Sequence, residues 1–111
     1  MRITLCGSAK FEPVFHKWNK DLTLAGHVVY GLAVYPSYMG GDKNWYTDHE
    51  KTMLDLIHLC KIDNSDAVVV LNVGGYVGES TQREIHWAQA KAKKIYFLEG
   101  LDPVYKAEHL L

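Results

Sequence analysis

The sequence predicts an α/β protein in which helices cover both faces of a parallel sheet. Short apolar, β-branched segments alternate along the chain with segments of helical length, which is the pattern of right-handed βαβ units. The apolar run of residues 66–72 is nearly continuous, as expected for a central strand that is buried on both faces. With 111 residues, of which 48% are hydrophobic and 23% charged, the chain fits one globular domain, residues 1–111.

The first half of the chain predicts two strands, one helix and a long loop. The first strand, residues 3–6, ends at a Gly7-Ser8 turn. The second strand is predicted over residues 27–34, and an irregular loop follows over residues 35–46, a length more typical of functional loops. Between the strands, apolar residues at helical spacing before Gly26 predict an amphipathic helix: Phe11, Phe15, Trp18, Leu22 and Ala25.

The second half predicts two helices and two strands. Thr47 and Glu50 have the spacing of a capping box, which would begin the second helix. The third helix is predicted to begin near Thr81, residues 94–98 form the fourth strand, and the tail after residue 101 has room for one short helix. The buried residues are predicted to be Met53, Leu54, Ile57 and Cys60 in the second helix, and Ile85, Ala88 and Ala92 in the third.

Together these elements predict a Rossmann-like or flavodoxin-like three-layer sandwich with strand order 2-1-3-4, with room for a fifth short element. In such sheets ligands bind beyond the carboxyl ends of the strands, at the point where the strand order reverses. That point lies between strands one and three. A binding site is therefore expected between the Gly7-Ser8 turn and the loop of residues 72–80.

Composition and charge exclude several classes of partner. Lys and Arg (12) nearly balance Asp and Glu (13), which argues against a protein that binds long nucleic acid but permits a small anionic ligand. The sequence has no apolar run long enough for a membrane-spanning helix and no signal peptide, so the chain is expected to be cytoplasmic and to have no membrane partner. Cys6 and Cys60 are predicted to be buried thiols in a reducing compartment. The six histidines lack metal-binding spacing, so no metal site is predicted.

The glycine-rich segment of residues 74–80 is the most informative feature of the sequence. Its glycines allow close approach of the backbone to a ligand, and the following helix offers free N–H groups to an anion. Ser80 or Thr81 would add a hydroxyl group. The segment matches neither the Walker motif nor the dinucleotide-binding motif. The alternative is a tight strand-to-helix turn that needs glycine for its shape alone.

Glu84 lies one turn into the third helix. A partly desolvated carboxylate at this position could attack an anomeric carbon or stabilise an oxocarbenium ion. The alternative is a second capping box, formed by Thr81 and Glu84. The local sequence alone favours the cap.

The segment from Asp66 to Ala88 resembles the nucleoside 2-deoxyribosyltransferase superfamily, which includes deoxynucleoside 5'-monophosphate N-hydrolases and small phage and bacterial relatives. The shared pattern is Asn-x-Gly-Gly-x-x-Gly-Glu-Ser-Thr-x-x-Glu, and the weaker resemblance extends over about residues 2–98. It implies that Glu84 is the nucleophile of an N-glycosidase or 2-deoxyribosyltransferase and that the chain forms a homodimer. The implied ligand is a small nucleoside or nucleotide, without a cofactor, and the predicted substrate-binding residues are Gly7, Ser8, Asn72, Gly75, Gly78, Ser80 and Trp45.

Two departures from the family pattern concern substrate choice. Many relatives have an aspartate on the second helix where this chain has His58, so Asp55 and Asp63 are alternative sources of a second carboxylate. A glycine that many relatives have two residues after the glutamate is His86 here. Tyr38, Trp45 and Tyr46 either stack on a base or pack the loop onto the protein. The alternative function is a non-catalytic module that binds a nucleotide on the same glycine-rich loop.

Overall fold

The described residues of the computed structural model, 1–40, 46–100 and 105–111, form a four-stranded parallel sheet with helices on both faces. The strand order is β2-β1-β3-β4, so the predicted α/β fold and topology are confirmed. The elements are β1 (Arg2–Cys6), α1 (Glu12–Leu24), β2 (Val28–Tyr30), α2 (Asp48–Asp63), β3 (Ala67–Val70), α3 (Glu79–Ala90) and β4 (Lys94–Phe97).

The two central strands divide the core into two clusters, because successive side chains of a strand point to opposite faces of the sheet. On one face, Ile3 and Leu5 of β1 pack with Phe15 and other apolar residues of α1. On the other face, Cys6 packs with apolar residues that include Ile62 of α2 and Ala88 of α3. All four residues of β3 are fully buried, as predicted for the central strand.

The end of β2 and the buried face of α2 differ from the sequence prediction. β2 ends at Tyr30, whereas the prediction continued to residue 34. The apolar face predicted for α2 is wrong, since Met53 and Ile57 are each 43% exposed and Cys60 is exposed as well. Only the last turns of α2 cover the sheet, where His58 and Ile62 are buried. The prediction of a buried thiol is therefore confirmed for Cys6 only.

The ends of the helices agree with the sequence prediction for α2 and differ from it for α3. The capping box of α2 is confirmed: the Glu50 backbone N–H donates to Thr47 Oγ1 at 3.1 Å, and the Thr47 N–H donates to the Glu50 carboxylate at 2.9 Å. Helix α3 begins at Glu79, two residues earlier than predicted, with Gly78 as its N-cap. Ala92, predicted to be buried, lies exposed beyond the end of α3 with a positive φ of 55°. No helix within the described ranges is long and apolar enough to span a membrane.

Candidate active site

A cavity of about 600 Å³ opens at the carboxyl ends of β1 and β3. This is the edge at which the strand order reverses and at which the sequence predicted a ligand. The Gly7-Ser8 turn and the first turns of α3 form one side of the cavity, and the middle of α2 forms the other. Residues 32–34, after the early end of β2, complete the wall.

The turn after β1 approaches the core closely and favours glycine, which has a positive φ of 154° there. A Cβ atom on Gly7 would lie 3.2 Å from the Leu71 carbonyl oxygen and 3.3 Å from the Phe15 ring. The Ser8 side chain then accepts a hydrogen bond from the Lys10 N–H at 3.4 Å. The turn places Gly7, Ser8 and Lys10 along the cavity, so the two predicted residues of this turn both lie at the site.

The first part of the glycine-rich loop is held to the segment after β4. The amide group of Asn72 donates to the Glu99 carbonyl oxygen at 2.7 Å and accepts from the Glu99 N–H at 2.9 Å. The Gly74 N–H donates to the Glu99 carboxylate. Neither Asn72 nor Gly75 is among the residues that line the cavity. Their substrate-binding role stays a prediction, whereas the bonds of Asn72 and Gly74 to Glu99 tie the loop after β3 to the segment after β4.

The second part of the loop lies where the sequence predicted an anion seat, at the start of α3. Gly78 caps α3 through its backbone alone, and both Gly78 and Ser80 line the cavity. Ser80 Oγ accepts hydrogen bonds from Lys51 Nζ at 3.4 Å and from Arg83 Nη2 at 3.2 Å. The Ser80 hydroxyl group, the Lys51 ammonium group and the N-terminus of α3 therefore line this end of the cavity, together with Glu79.

Glu84 is not a capping residue, so the alternative interpretation of this glutamate is wrong. Helix α3 begins at Glu79, and Thr81 is buried in its first turn. Glu84 therefore lies in the second turn, too far along the helix to bond the N-cap. Its side chain is only 14% exposed and lines the cavity, with its carboxylate 3.8 Å from His58 Nε2.

The surroundings of Glu84 make its carboxyl group unusually basic. Burial raises the pKa of Glu84 to about 7, and the negative charge of Asp55 adds to the rise. A hydrogen bond from Cys6 and the positive charges of Arg83 and Lys51 act in the opposite direction. A carboxyl group with a pKa near 7 can lose or gain a proton at neutral pH, which suits chemistry at a reacting centre.

Cys6 and His58 lie next to the Glu84 carboxylate. Cys6 Sγ lies 3.6 Å from His58 Nε2. Burial lowers the pKa of His58 to about 4, and the charge of Lys61 acts in the same direction. Burial and the nearby Glu84 raise the pKa of the Cys6 thiol well above its usual value. At pH 7 the His58 imidazole is therefore neutral and the Cys6 thiol is protonated. Of these three side chains, only Glu84 can be charged at that pH.

The structure decides between the two aspartates that the sequence left open. Asp55 lines the cavity and pairs with Lys51, whose Nζ lies 3.1 Å from Asp55 Oδ2. Asp63 is not among the cavity residues and accepts a hydrogen bond from Trp87 Nε1 at 2.9 Å. Of the two aspartates, Asp55 is therefore the one that lies at the cavity. The sequence did not decide this because both residues lie on the same helix at plausible positions.

The aromatic residues of the site differ from the predicted set. Trp45 lies outside the described residues. Tyr46 lines the cavity, whereas Tyr38 does not: it is 62% exposed and packs edge-on against Tyr35 with ring centroids 5.6 Å apart. Tyr76, which the sequence analysis overlooked, lines the cavity beneath Lys10, whose Nζ lies 3.5 Å from the ring centroid. Its position between Gly75 and Gly78 could have identified Tyr76 as a candidate site residue.

Two solved structures are similar to this chain. A 2-deoxyribosyltransferase from Bacillus psychrosaccharolyticus is 14% identical with a TM-score of 0.64, and the match covers 95% of this chain and 80% of that one. The chain has the 2-deoxyribosyltransferase fold. A CMP N-glycosidase from Clostridium botulinum is 26% identical with a TM-score of 0.51, and the match covers 87% and 70% of the two chains. No family model and no curated protein matches the sequence.

These similarities confirm the predicted resemblance to the nucleoside 2-deoxyribosyltransferase superfamily. The match at 14% identity establishes the shared 2-deoxyribosyltransferase fold alone. The match to the CMP N-glycosidase, at a higher identity, also supports an argument about chemistry. The similarity to the CMP N-glycosidase agrees with the predicted class of N-glycosidase or transferase.

Proposed function

We propose that this protein cleaves or transfers the N-glycosidic bond of a nucleoside 5'-monophosphate or nucleoside, with Glu84 as the nucleophile. The observation that carries the proposal is the position of Glu84: a buried carboxylate, released from any capping role, at the deep end of the ligand cavity. The similar CMP N-glycosidase supports the reaction class.

The reaction begins when an ionised oxygen of Glu84 attacks C1' of the sugar. The bond between C1' and the base nitrogen breaks, and the base leaves with the electron pair and takes up a proton. The result is a glycosyl ester of Glu84. Water or a second base then attacks C1' and regenerates the carboxylate. Asp55, on the facing helix, is placed to accept hydrogen bonds from the sugar hydroxyl groups.

The anion seat favours a substrate that carries a 5'-phosphate. Lys51, Ser80 and the N-terminus of α3 together supply the donors and positive charge that bind a phosphate group. Gly7 and Ser8, which line the same cavity, would border the sugar. Tyr46 and Tyr76 offer aromatic surface for the base. This arrangement requires no organic cofactor, because two carboxylates suffice for glycosyl transfer.

The proposal includes a cytoplasmic homodimer. Helix α2 exposes Met53, Leu56 and Ile57, each at least 43% accessible, next to the cavity wall. Apolar residues that lie together on a surface are typical of protein interfaces. A second copy of the chain would cover them and narrow the opening of the cavity. Sedimentation of the purified protein tests this part.

The test is a search for released base. The protein is incubated with a panel of nucleosides and their 5'-monophosphates, and free base is measured by chromatography. We expect release from at least one monophosphate, faster than from its nucleoside. Glu84→Gln should lower the rate by about a thousandfold or more, since it removes the nucleophile. Glu108→Gln is the matched control, because Glu108 is an exposed residue outside the cavity lining.

Three outcomes would contradict the proposal. Release by Glu84→Gln at the wild-type rate would remove Glu84 from the mechanism. Tight binding of a nucleotide without release of base would favour the non-catalytic binding module. An equal rate with nucleoside and monophosphate would remove the phosphate from the proposal. Circular dichroism of each variant verifies that the fold is retained.

A further inference from the structure

Three side chains of different chemistry meet beside the cavity: His58 and Glu84 line it, and Cys6 is fully buried next to them. Cys6 ends β1, His58 belongs to the second half of α2, and Glu84 belongs to α3. One sulfur, one imidazole nitrogen and one carboxylate oxygen all lie within 4.8 Å of one another. No short sequence motif contains them, since 52 residues separate the first two. The fold alone brings them together.

The distances in this cluster match those between ligands of a tetrahedral transition-metal site. A zinc–sulfur bond of about 2.3 Å and a zinc–nitrogen bond of about 2.0 Å place the two ligand atoms about 3.6 Å apart. Cys6 Sγ and His58 Nε2 are 3.6 Å apart. His58 Nε2 and the Glu84 oxygen are 3.8 Å apart, so the Glu84 carboxylate has to move closer to His58 when an ion binds.

The environment of His58 is that of a metal ligand. Its Nε2 faces Cys6 and Glu84, while the ring also hydrogen-bonds the backbone of Leu5. Ligating histidines usually donate their other ring nitrogen to such a partner, which fixes the orientation of the ring. His58 and Glu84 both line the cavity, so a fourth coordination position would be open to water or substrate.

We infer that Cys6, His58 and Glu84 bind a thiophilic divalent ion, zinc or cobalt, and that the bound ion blocks the proposed nucleophile. Binding forms a metal–sulfur bond and releases the thiol proton to solvent, while Glu84 gives its lone pair to the metal instead of C1'. Magnesium and calcium prefer all-oxygen ligand sets and are not expected to bind. The inhibitory half of this inference rests on the proposed function; the binding half does not.

Cobalt(II) absorption tests the binding half directly. Chelator-treated protein is titrated with Co²⁺, and the thiolate-to-cobalt charge-transfer band and the visible ligand-field bands are recorded. We expect saturation at one equivalent, loss of the charge-transfer band in Cys6→Ser, and weaker binding in His58→Asn. Cys60→Ser and His86→Asn are matched controls, because both residues are exposed and outside the cluster. Absence of the band in the wild type, or its loss in Cys60→Ser, would overturn the inference.

Base release tests the inhibitory half. Zinc should inhibit the wild type, chelator should restore the rate, and magnesium should have no effect. Cys6→Ser, compared with its own metal-free rate, should need at least about a hundredfold more zinc for half-inhibition. Inhibition that is unchanged in Cys6→Ser would contradict the inference.

The two proposals fail in distinguishable ways. If no substrate releases base, the proposed function fails, while the cobalt spectrum still decides whether the metal site exists. If base is released and no cobalt band forms, only the metal site fails. If cobalt binds through Cys6 and zinc leaves the rate unchanged, the blocking of Glu84 is wrong.

Discussion

The two faces of the sheet differ in what they bury, although the same strands supply both. The apolar face, covered by α1, buries Ile3, Leu5 and Phe15 together with other hydrocarbon and aromatic residues. The polar face, beneath α2 and α3, buries Thr4, Cys6, His58 and Ser65 beside its apolar residues, and it carries Glu84 at its edge. Within β1, Ile3 and Leu5 point to the apolar face, and Thr4 and Cys6 point to the polar face.

This difference separates stability from chemistry. Hydrophobic burial and close packing stabilise the apolar face. The polar face holds an acid whose ionised form is disfavoured by burial, which costs stability whenever that acid is charged. The proposed chemistry therefore lies on the face that buries the polar groups. Substitutions on the two faces should separate these roles.

The largest expected effect is on the apolar face. Phe15 is fully buried and contacts the backbone turn at Gly7. Phe15→Ala should lower the free energy of unfolding by about 3–5 kcal/mol, because it leaves a cavity in the core. Urea denaturation measures the change. Leu24→Ala, at an exposed position on the same helix, should cost far less, and equal losses would contradict the assignment of this face.

The second largest effect, on the polar face, is an increase in the free energy of unfolding instead of a decrease. The pKa of Glu84 is raised from its usual 4.5 to about 7, so the folded state prefers the protonated acid and loses stability as pH rises from 4.5 to 7. Glu84→Gln removes this dependence. The variant should gain stability relative to wild type across that interval, by at most about 3 kcal/mol, with no further gain above pH 7. Parallel unfolding curves from pH 5 to 8 would contradict the raised pKa.

The apolar face was also the part of the structure that the sequence predicted well. Of the five residues predicted for the stripe of α1, Phe15, Trp18 and Leu22 are buried. Phe11 precedes the helix and is half-buried, and the prediction is wrong for Ala25, which is exposed just after the helix ends. The continuous apolar run of β3 identified the central strand and, with it, the strand order. Both features are patterns of apolar residues within one short segment, so they can be recognised from the sequence without knowledge of distant contacts.

The polar face was harder to predict because it depends on contacts between distant residues. The local sequence favoured a cap for Glu84, and only the true start of α3 excludes it. The predicted apolar face of α2 was wrong because the middle of that helix borders a cavity instead of the sheet. The cluster of Cys6, His58 and Glu84 leaves no spacing signature in the sequence. Family resemblance identified Glu84, and tertiary structure identified its neighbours.

A smaller effect should come from Asp55, whose charge raises the pKa of Glu84. If Glu84 acts as an ionised nucleophile, the rate of base release should rise with pH up to about 7 and then level off. Asp55→Asn should move this rise to lower pH and reduce the maximal rate by about 10–100-fold, since a substrate contact is weakened. Asp63→Asn, on the same helix outside the cavity, should change neither. A rate that instead falls above pH 7 would make Glu84 a general acid.

The smallest expected effect concerns a pair of buried hydroxyl groups on the polar face that lies outside the cavity lining. Thr4 Oγ1 and Ser65 Oγ lie 2.5 Å apart in a fully buried pair, and Ser65 Oγ also donates to the Lys61 carbonyl oxygen. Thr4→Val keeps the side-chain shape and removes one hydrogen bond, so it should lower the free energy of unfolding by about 1 kcal/mol. The pair is not among the cavity residues, so base release should keep its rate. Thr23→Val, at an exposed hydroxyl on α1, should cost less. If Thr4→Val slowed base release as much as Asp55→Asn does, the buried hydroxyl groups would belong to the catalytic cluster, and the polar face would act as one unit.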